Sequence, residues 1–190
     1  TGRASKRMSD STGREAKTIH RLLEVNVIKT SESYFIHNET NPLKTDAVIV
    51  DEVSMVDAAL MCNLLKALPR DCKLILVGDK DQLPSVGAGN VLADILASNT
   101  IPYCMLTKIF RQGEKSLIIT NAHLINDGKM PLIDNTSMDF FFESKNEPET
   151  IKDTIVNLVT NRLPKFLKVE PKEIQVLAPM KAGVCGIENL

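Results

Sequence analysis

Apolar residues change their spacing several times along the chain, and each change marks an element. Residues 1–24 read as two short helices. The first is a basic amphipathic stretch over 3–11, stopped near Gly13, a residue suited to a left-handed cap. The second is Ile19-His20-Arg21-Leu22-Leu23, with Thr18 in the N-cap position. Residues 25–44 alternate weakly and end in Asn38-Glu39-Thr40-Asn41-Pro42, which is turn chemistry. They predict a small β-hairpin with Tyr34, Phe35 and Ile36 on one arm. From residue 45 the pattern becomes buried strand and helix in alternation. Ala47-Val48-Ile49-Val50 is a continuous apolar run closed by Asp51-Glu52. Asp57 stands where it would cap a helix carrying Leu60, Leu64, Leu65 and Leu68 on one face, and Pro69 stops it. Residues 73–77 form a second apolar run, ending at Gly78-Asp79. A loop with Gln82, Pro84, Gly87 and Gly89 then leads to a helix through Val91, Leu92, Ile95 and Leu96. Strands apolar on both faces, separated by helices, predict an α/β fold whose parallel sheet is covered on both sides.

The second half repeats this theme more loosely. Residues 103–106, 138–143 and 174–177 are strand-like, while 116–126 and 149–161 are helical, the former closed by Gly128. The Phe140-Phe141-Phe142 run is expected as a strand with alternate rings in the core. Ser98-Asn99-Thr100 interrupts the periodicity. Two domains are therefore expected, 1–100 and 101–190.

Composition narrows the class. With 190 residues, 43% hydrophobic and 25% charged, the chain can bury a core without staples. Its net charge of −1 excludes a uniformly polyanion-binding surface. Two Tyr, six Phe and no Trp argue against a surface built mainly from stacking platforms. The apolar runs are too short to cross a bilayer, and no basic-then-apolar leader opens the chain. A cytoplasmic protein without membrane contact is expected. Cys62, Cys72, Cys104 and Cys185 lack ligand spacing and read as free buried thiols. Charge is concentrated at one end: over residues 1–23, six basic residues face only Asp10 and Glu15, a local charge of +4. The chain opens on Thr1 rather than Met, as a piece of something longer would.

The strongest chemical feature is the first apolar strand delivering Asp51-Glu52 at its carboxyl end, where α/β sheets bind ligands. Nucleoside-triphosphate hydrolysis needs such a pair. One carboxylate holds Mg²⁺, through water because magnesium keeps its hydration shell, and the second takes a proton from the attacking water. The plainer alternative is two acids opening a solvated loop. About 25 residues on, the next strand ends in Gly78-Asp79-Lys80-Asp81-Gln82-Leu83-Pro84. If the strands are neighbours, Gln82 could meet a terminal phosphate or the lytic water; otherwise it is an exposed loop amide. Arg111, past the expected boundary, suits an Arg reaching a phosphoryl group from a second domain, or an ordinary surface cation. His37 and His123 have no partner at ligand spacing.

Together these segments resemble a known family. Thr1-Gly2-Arg3-Ala4, Thr18-Ile19-His20-Arg21-Leu22-Leu23, Val50-Asp51-Glu52-Val53-Ser54-Met55-Val56-Asp57, Leu76 through Gly87, and Ile109-Phe110-Arg111-Gln112 occur in order. They are similar to motifs Ia, Ib, II, III and IV of the RecD-like DNA helicases, the exodeoxyribonuclease V alpha-subunit family. This is the 5′→3′ branch of superfamily 1. Val176-Leu177-Ala178-Pro179-Met180 with Gly183 and Gly186 resembles the next motif.

The resemblance implies a RecA-like P-loop NTPase architecture, with part of motor domain 1 over 1–100 and part of motor domain 2 over 101–190. It implies Asp51 as the Mg²⁺ holder, Glu52 as the acid that activates water, Gln82 as γ-phosphate sensor and Arg111 as arginine finger. Gly78 and Asp79 join Asp51, Gln82 and Arg111 at the ATP site. Thr1, Gly2, Arg3, His20 and Pro179 would meet DNA, and residues 25–44 would be the strand-separating pin. Partners would be single-stranded and duplex DNA, and subunits of a nuclease complex acting in DNA repair and recombination. The family's G-x-x-x-x-G-K-[ST] phosphate loop occurs nowhere in the 190 residues. An internal piece of the motor, inactive by itself, is therefore expected. The alternatives are another P-loop ATPase, such as a clamp-loader-like machine, and a non-catalytic DNA-binding module.

Overall fold

In the computed structural model, which describes residues 2–27, 33–106 and 116–190, the chain divides into two units, Thr1–Ile109 and Phe110–Leu190. The first unit opens with helix α1 (Gly2–Thr12), an exposed basic helix with no buried residue. Gly13 ends it in the left-handed region at φ +66°, donating its N–H to Ser9 O at 2.9 Å. Helix α2 (Ile19–Leu23) begins where Thr18 Oγ1 accepts the N–H of Arg21 at 3.4 Å. Its last residue, Leu23, is fully buried, and the hairpin hangs from it. Strands β1 (Val25–Val27) and β2 (Ser33–Phe35) pair antiparallel, Val25 opposite Phe35. Ile36 and His37 then donate their N–H groups back to Glu24 O and Leu23 O at 2.9 and 3.1 Å. Asn38 closes the next turn by accepting from Thr40 N and Thr40 Oγ1 at 2.9 and 2.8 Å.

The frame of the unit is a parallel pair, β3 (Ala47–Val50) with β4 (Lys73–Leu76), in register from Ala47–Lys73 to Val50–Leu76. Helix α3 (Ala58–Ala67) makes the crossover between them. Asp57 Oδ1 accepts the N–H of Leu60 at 2.7 Å to start it, and it stops two residues before Pro69. Helix α4 (Val91–Ser98) follows β4 and ends at Asn99, left-handed at φ +51°. Val48, Val50, Leu23, Leu43, Val53, Val56, Met61 and Leu64 form the core, with Leu74, Leu76 and Leu92 packed against it.

Helices flank the parallel sheet as expected, but its two faces are buried unequally among the described residues. The face of Val48 and Val50 is buried, yet Ile49 and Ile75, aligned on the other face, are 58% and 50% exposed. Alternation along each strand places them there.

The second unit departs further from expectation. Helix α5 (Leu117–Asn126) forms as expected and ends in a Schellman-type cap. Gly128 stands at φ +69°, and Lys129 N–H reaches Leu124 O at 2.7 Å. Helix α6 (Pro148–Asn157) runs through a π turn (Leu158–Arg162) into α7 (Leu163–Leu167), longer than the expected 149–161. Pro164 explains the π turn: it has no N–H to give, and its ring would press on the carbonyl four residues back.

The three expected strands at 103–106, 138–143 and 174–177 form no ladder among the described residues. Around Phe140–Phe142, local side chains take the backbone groups instead. Asn135 Oδ1 accepts Phe142 N–H at 2.6 Å while its Nδ2 donates to Phe142 O at 2.9 Å. Ser137 Oγ accepts Phe140 N–H at 3.0 Å. Phe141 and Phe142 consequently stay 54% and 45% exposed, Phe141 meeting Phe166 edge-on at 6.3 Å. The cysteines are free, but none is buried: Cys62 and Cys104 are exposed, Cys72 and Cys185 intermediate.

Asp139, not Ser116, caps α5. Its carboxylate accepts from Ser116 Oγ at 2.5 Å and from Leu117 N–H at 3.3 Å. The Ser116 hydroxyl, ahead of the other contacts, holds this carboxyl below its ordinary value. A depressed value means the cap's contribution is complete above the ordinary carboxylate range and is lost as pH falls through the lowered value. Carboxyl NMR should show Asp139 titrating below the ordinary aspartate value. Titration at the ordinary value would remove the cap from the account. For the first unit, Leu64→Ala should cost about 2–5 kcal/mol in denaturant unfolding followed by circular dichroism, whereas half-exposed Ile49→Ala should cost less than half as much.

Candidate functional site

The two strand ends meet because β3 and β4 are neighbours in register. Beyond the last paired residues, Val77 N–H donates to Val50 O at 2.8 Å and Val53 N–H donates to Val77 O at 3.0 Å. Asp51-Glu52 therefore leaves the sheet directly beside Val77-Gly78-Asp79. A side chain at Gly78 would be crowded by this approach. A Cβ there would lie 3.2 Å from Val53 N and 3.0 Å from Leu92 Cδ2.

Asp51 is exposed, and its Oδ1 accepts the N–H of Glu52 at 2.9 Å. Glu52 is half-buried and sits in the left-handed region at φ +58°, ψ +44°, as the residue that opens a short 3-10 turn over Val53–Met55. That conformation is uncommon for a residue with a long side chain and costs about 1–3 kcal/mol. It turns the chain sharply out of β3 and carries Val53 and Ser54 back into the core. Ser54 Oγ is buried with no hydrogen-bond partner among the described residues. A desolvated hydroxyl left alone costs about 1–3 kcal/mol.

Asp79 organises the next loop. Its Oδ1 accepts from Asp81 N–H at 3.0 Å, its Oδ2 from Gln82 Nε2 at 3.5 Å, and its carbonyl from Gln82 N–H at 3.3 Å. Lys80 Nζ donates to Asp81 Oδ1 at 2.6 Å, and this exposed pair holds the ammonium above its ordinary value. Gln82 is exposed, with its amide leaning on Asp79 rather than on any phosphate-binding group.

The remaining expected residues are spread out. Gly2 and Arg3 lie exposed at the start of α1, and His20 is exposed on α2 with its ring 5.9 Å from that of Phe35. Pro179 lies exposed in the second unit. Thr1 and Arg111 fall outside the described residues. Sequence reasoning missed the roles of Asp57, Gly87 and Gly89 beside this site; the crowding of Gly87 on Asp57 is a contact between segments thirty residues apart.

Among the described residues, no group of three or more His, Cys, Asp or Glu could enclose a metal ion. The donor chemistry fits magnesium in its other habit, held by one or two carboxylates with waters and phosphates completing the shell. Asp51, exposed at the strand end, supplies such a hard oxygen. No phosphate nest of the G-x-x-x-x-G-K-[ST] type accompanies it in this sequence. The residues present fit the metal side of a nucleotide site and not the phosphate cradle. A cavity of about 720 Å³ adjoins Asp51 and Glu52, bounded by α1, α2 and β3. No helix among the described residues is long and apolar enough to cross a membrane.

Comparison with known proteins identifies RecD-like helicases among the relatives of this chain. The family model described as an AAA domain matches residues 1–88. The ATP-dependent RecD2 DNA helicase of Deinococcus radiodurans is 36% identical over 190 residues, covering 100% of this chain and 24% of that protein. The RecBCD enzyme subunit RecD of Haemophilus influenzae is 30% identical over 188 residues, covering 82% of this chain and 29% of that protein. The ATP-dependent DNA helicase dda of Enterobacteria phage T4 is 33% identical over 134 residues, covering 68% of this chain and 30% of that protein. The chain thus spans about a quarter of the length of the first two relatives.

The left-handed Glu52 gives a direct test of strain at the site. Glu52→Gly should raise stability by up to about 1 kcal/mol, since glycine adopts that conformation freely but loses more chain entropy on folding. The same substitution should abolish any hydrolysis that depends on the carboxylate. A glycine variant less stable than the parent in thermal unfolding would remove strain from the description.

Proposed function

The chain is RecD-like along all its 190 residues, and from that premise we propose that it carries the hydrolytic half of an ATP-dependent 5′→3′ DNA helicase. The observation that carries the reading is the parallel pairing of β3 with β4, which brings Asp51-Glu52 beside the Gly78–Gln82 loop. Two carboxylates and a neutral amide at adjacent strand ends are the groups that in-line attack of water on a phosphoryl group requires.

In this reading ATP and Mg²⁺ are the cofactors, and Asp51 holds the magnesium, which neutralises charge on the phosphates when bound. Glu52 accepts a proton from the attacking water, its backbone turn fixing where the carboxylate leaves β3. Gln82 offers an N–H and a C=O to the terminal phosphate or the water. Arg111 is assigned to stabilising charge as it builds on the transferring group, and Gly78 and Asp79 to the nucleotide. The phosphate cradle belongs to residues outside this sequence. Residues 1–100 and 101–190 are parts of two motor domains, and hydrolysis drives movement along a single strand.

DNA contact is assigned to the basic end of the chain. Arg3, Lys6 and Arg7 are exposed on α1, which spends no residue on the core, and His20 follows on α2. Thr1, Gly2 and, from the second unit, Pro179 complete the set, with the β1–β2 hairpin as the pin that parts duplex DNA. Subunits of a nuclease complex are further candidate partners, a reading supported by relatives that carry RecBCD subunit names.

In the full-length protein Glu52→Gln should keep ATP and Mg²⁺ binding while single-turnover hydrolysis collapses. Arg111→Ala should likewise spare binding and cost roughly 10³–10⁵ in turnover. Hydrolysis by Glu52→Gln at near the parent rate would return the Asp-Glu pair to an ordinary solvated loop.

A further inference from the structure

The loop that carries Gln82 is tied at both ends to the segment that follows Asp51-Glu52. At its root, Gly78 lies against the backbone of Val53 and Ser54, where a Cβ would come within 3.2 and 3.4 Å of their nitrogens. At its far end the tie is made by Asp57 and Ala58, the first residues of the α3 start. Ala58 N–H donates to Ala88 O at 3.0 Å. A Cβ on Gly89, which stands at φ +97°, would meet Ala58 Cβ at 2.8 Å. A Cβ on Gly87 would drive into the Asp57 carboxylate and come within 2.8 Å of Asp57 Cβ. Ser85 Oγ gathers the turn by donating toward Gly87 O and Gly89 O, each at 3.1 Å.

Asp57 is not free to move out of the way. Its Oδ1 caps α3 through the N–H of Leu60 at 2.7 Å, and α3 is anchored in the core by Met61 and Leu64. Between the two ties, Leu83 is 87% exposed and Val86 is fully exposed, so packing does not hold the loop in place. The ties do. We propose that Asp57, Gly87 and Gly89 form a clasp that positions Gln82 against Asp51 and Glu52, with Asp57 acting as a positioning residue rather than a catalytic one. This rests on the hydrolytic reading of Gln82 given above. The consequence is that residues remote from the reacting atoms set the rate of the chemical step without setting nucleotide affinity. A displacement of about 1 Å at a positioned group can cost on the order of 10²-fold.

The test is a suppressor pair in the full-length protein. Gly87→Ala should lower the DNA-stimulated kcat tenfold to a hundredfold, with the nucleotide Kd changed less than threefold. Asp57→Gly removes every atom that this Cβ would strike, and glycine is tolerated at an N-cap, but it loosens the clasp and should itself lower kcat, by less than Gly87→Ala does. Combined with Gly87→Ala, it should bring kcat back up to the level of Asp57→Gly alone. Equal loss in Gly87→Ala and the double variant would overturn the clasp, as would a Gly87→Ala enzyme at the parent rate.

Hydrogen exchange at the Ala58 amide separates this idea from the Gln82 assignment. Protection should fall in Gly87→Ala and return in the double variant to the level of Asp57→Gly alone, whatever the ATPase does. Unchanged protection in Gly87→Ala overturns the clasp. Gln82→Ala that hydrolyses ATP normally, with the exchange pattern as expected, overturns the assignment of Gln82 and with it the catalytic purpose of the clasp.

Discussion

Everything at the candidate site follows from one pairing, the parallel ladder between β3 and β4. Its last two bonds, Val77 N–H to Val50 O and Val53 N–H to Val77 O, extend past the regular strands to the point where both chains turn out of the sheet. Slipping that register by one residue would move Val48 and Val50 from the core to solvent. The burial of these two side chains therefore fixes where Asp51 and Glu52 emerge relative to Gly78. Core packing and site geometry are one constraint, because the residue pattern that buries the strand also sets the position of its end.

Around that pairing the chain takes one backbone conformation that costs stability and sets glycines where a side chain would be crowded. Glu52 is left-handed, Gly89 lies at φ +97°, and Gly78 touches the backbone of a neighbouring turn. Each tightens the path between the two strand ends. The orphaned Ser54 hydroxyl lies in the same turn. Strain and unmet polarity concentrated within a few residues mark a place where the fold is shaped by something other than stability. The Asp57 cap carries that shaping outward, since it starts α3 and bounds the loop of Gln82 at once.

The second unit is held by different means. Its helices are fixed by caps and side-chain brackets: Asp139 on the start of α5, Asn121 bonded to both the N–H and the C=O of Leu132, and Asn135 around Phe142. Asn121 is 1% exposed and fully satisfied, so a polar side chain takes the place an apolar contact would have. With these bonds made locally, the apolar run at Phe140–Phe142 stays outside any ladder among the described residues, and Phe141 and Phe142 remain accessible.

The sequence by itself determined whatever depends on neighbours in the chain. Thr18 and Asp57 as caps, Gly13 and Gly128 as stops, Pro69 as a terminator and the β-branched run before Asp51 all act within a few residues, and each forms as read. The order of motifs, and with it the RecD-like character, is also a property of the string. Tertiary structure alone decided the rest. That β3 lies against β4, that Gly87 and Gly89 are small because Asp57 and Ala58 are there, and that Phe140–Phe142 is no strand all depend on partners many residues away. A strand is completed by its neighbour's backbone and a glycine by what crowds it, and neither partner is written in the local pattern.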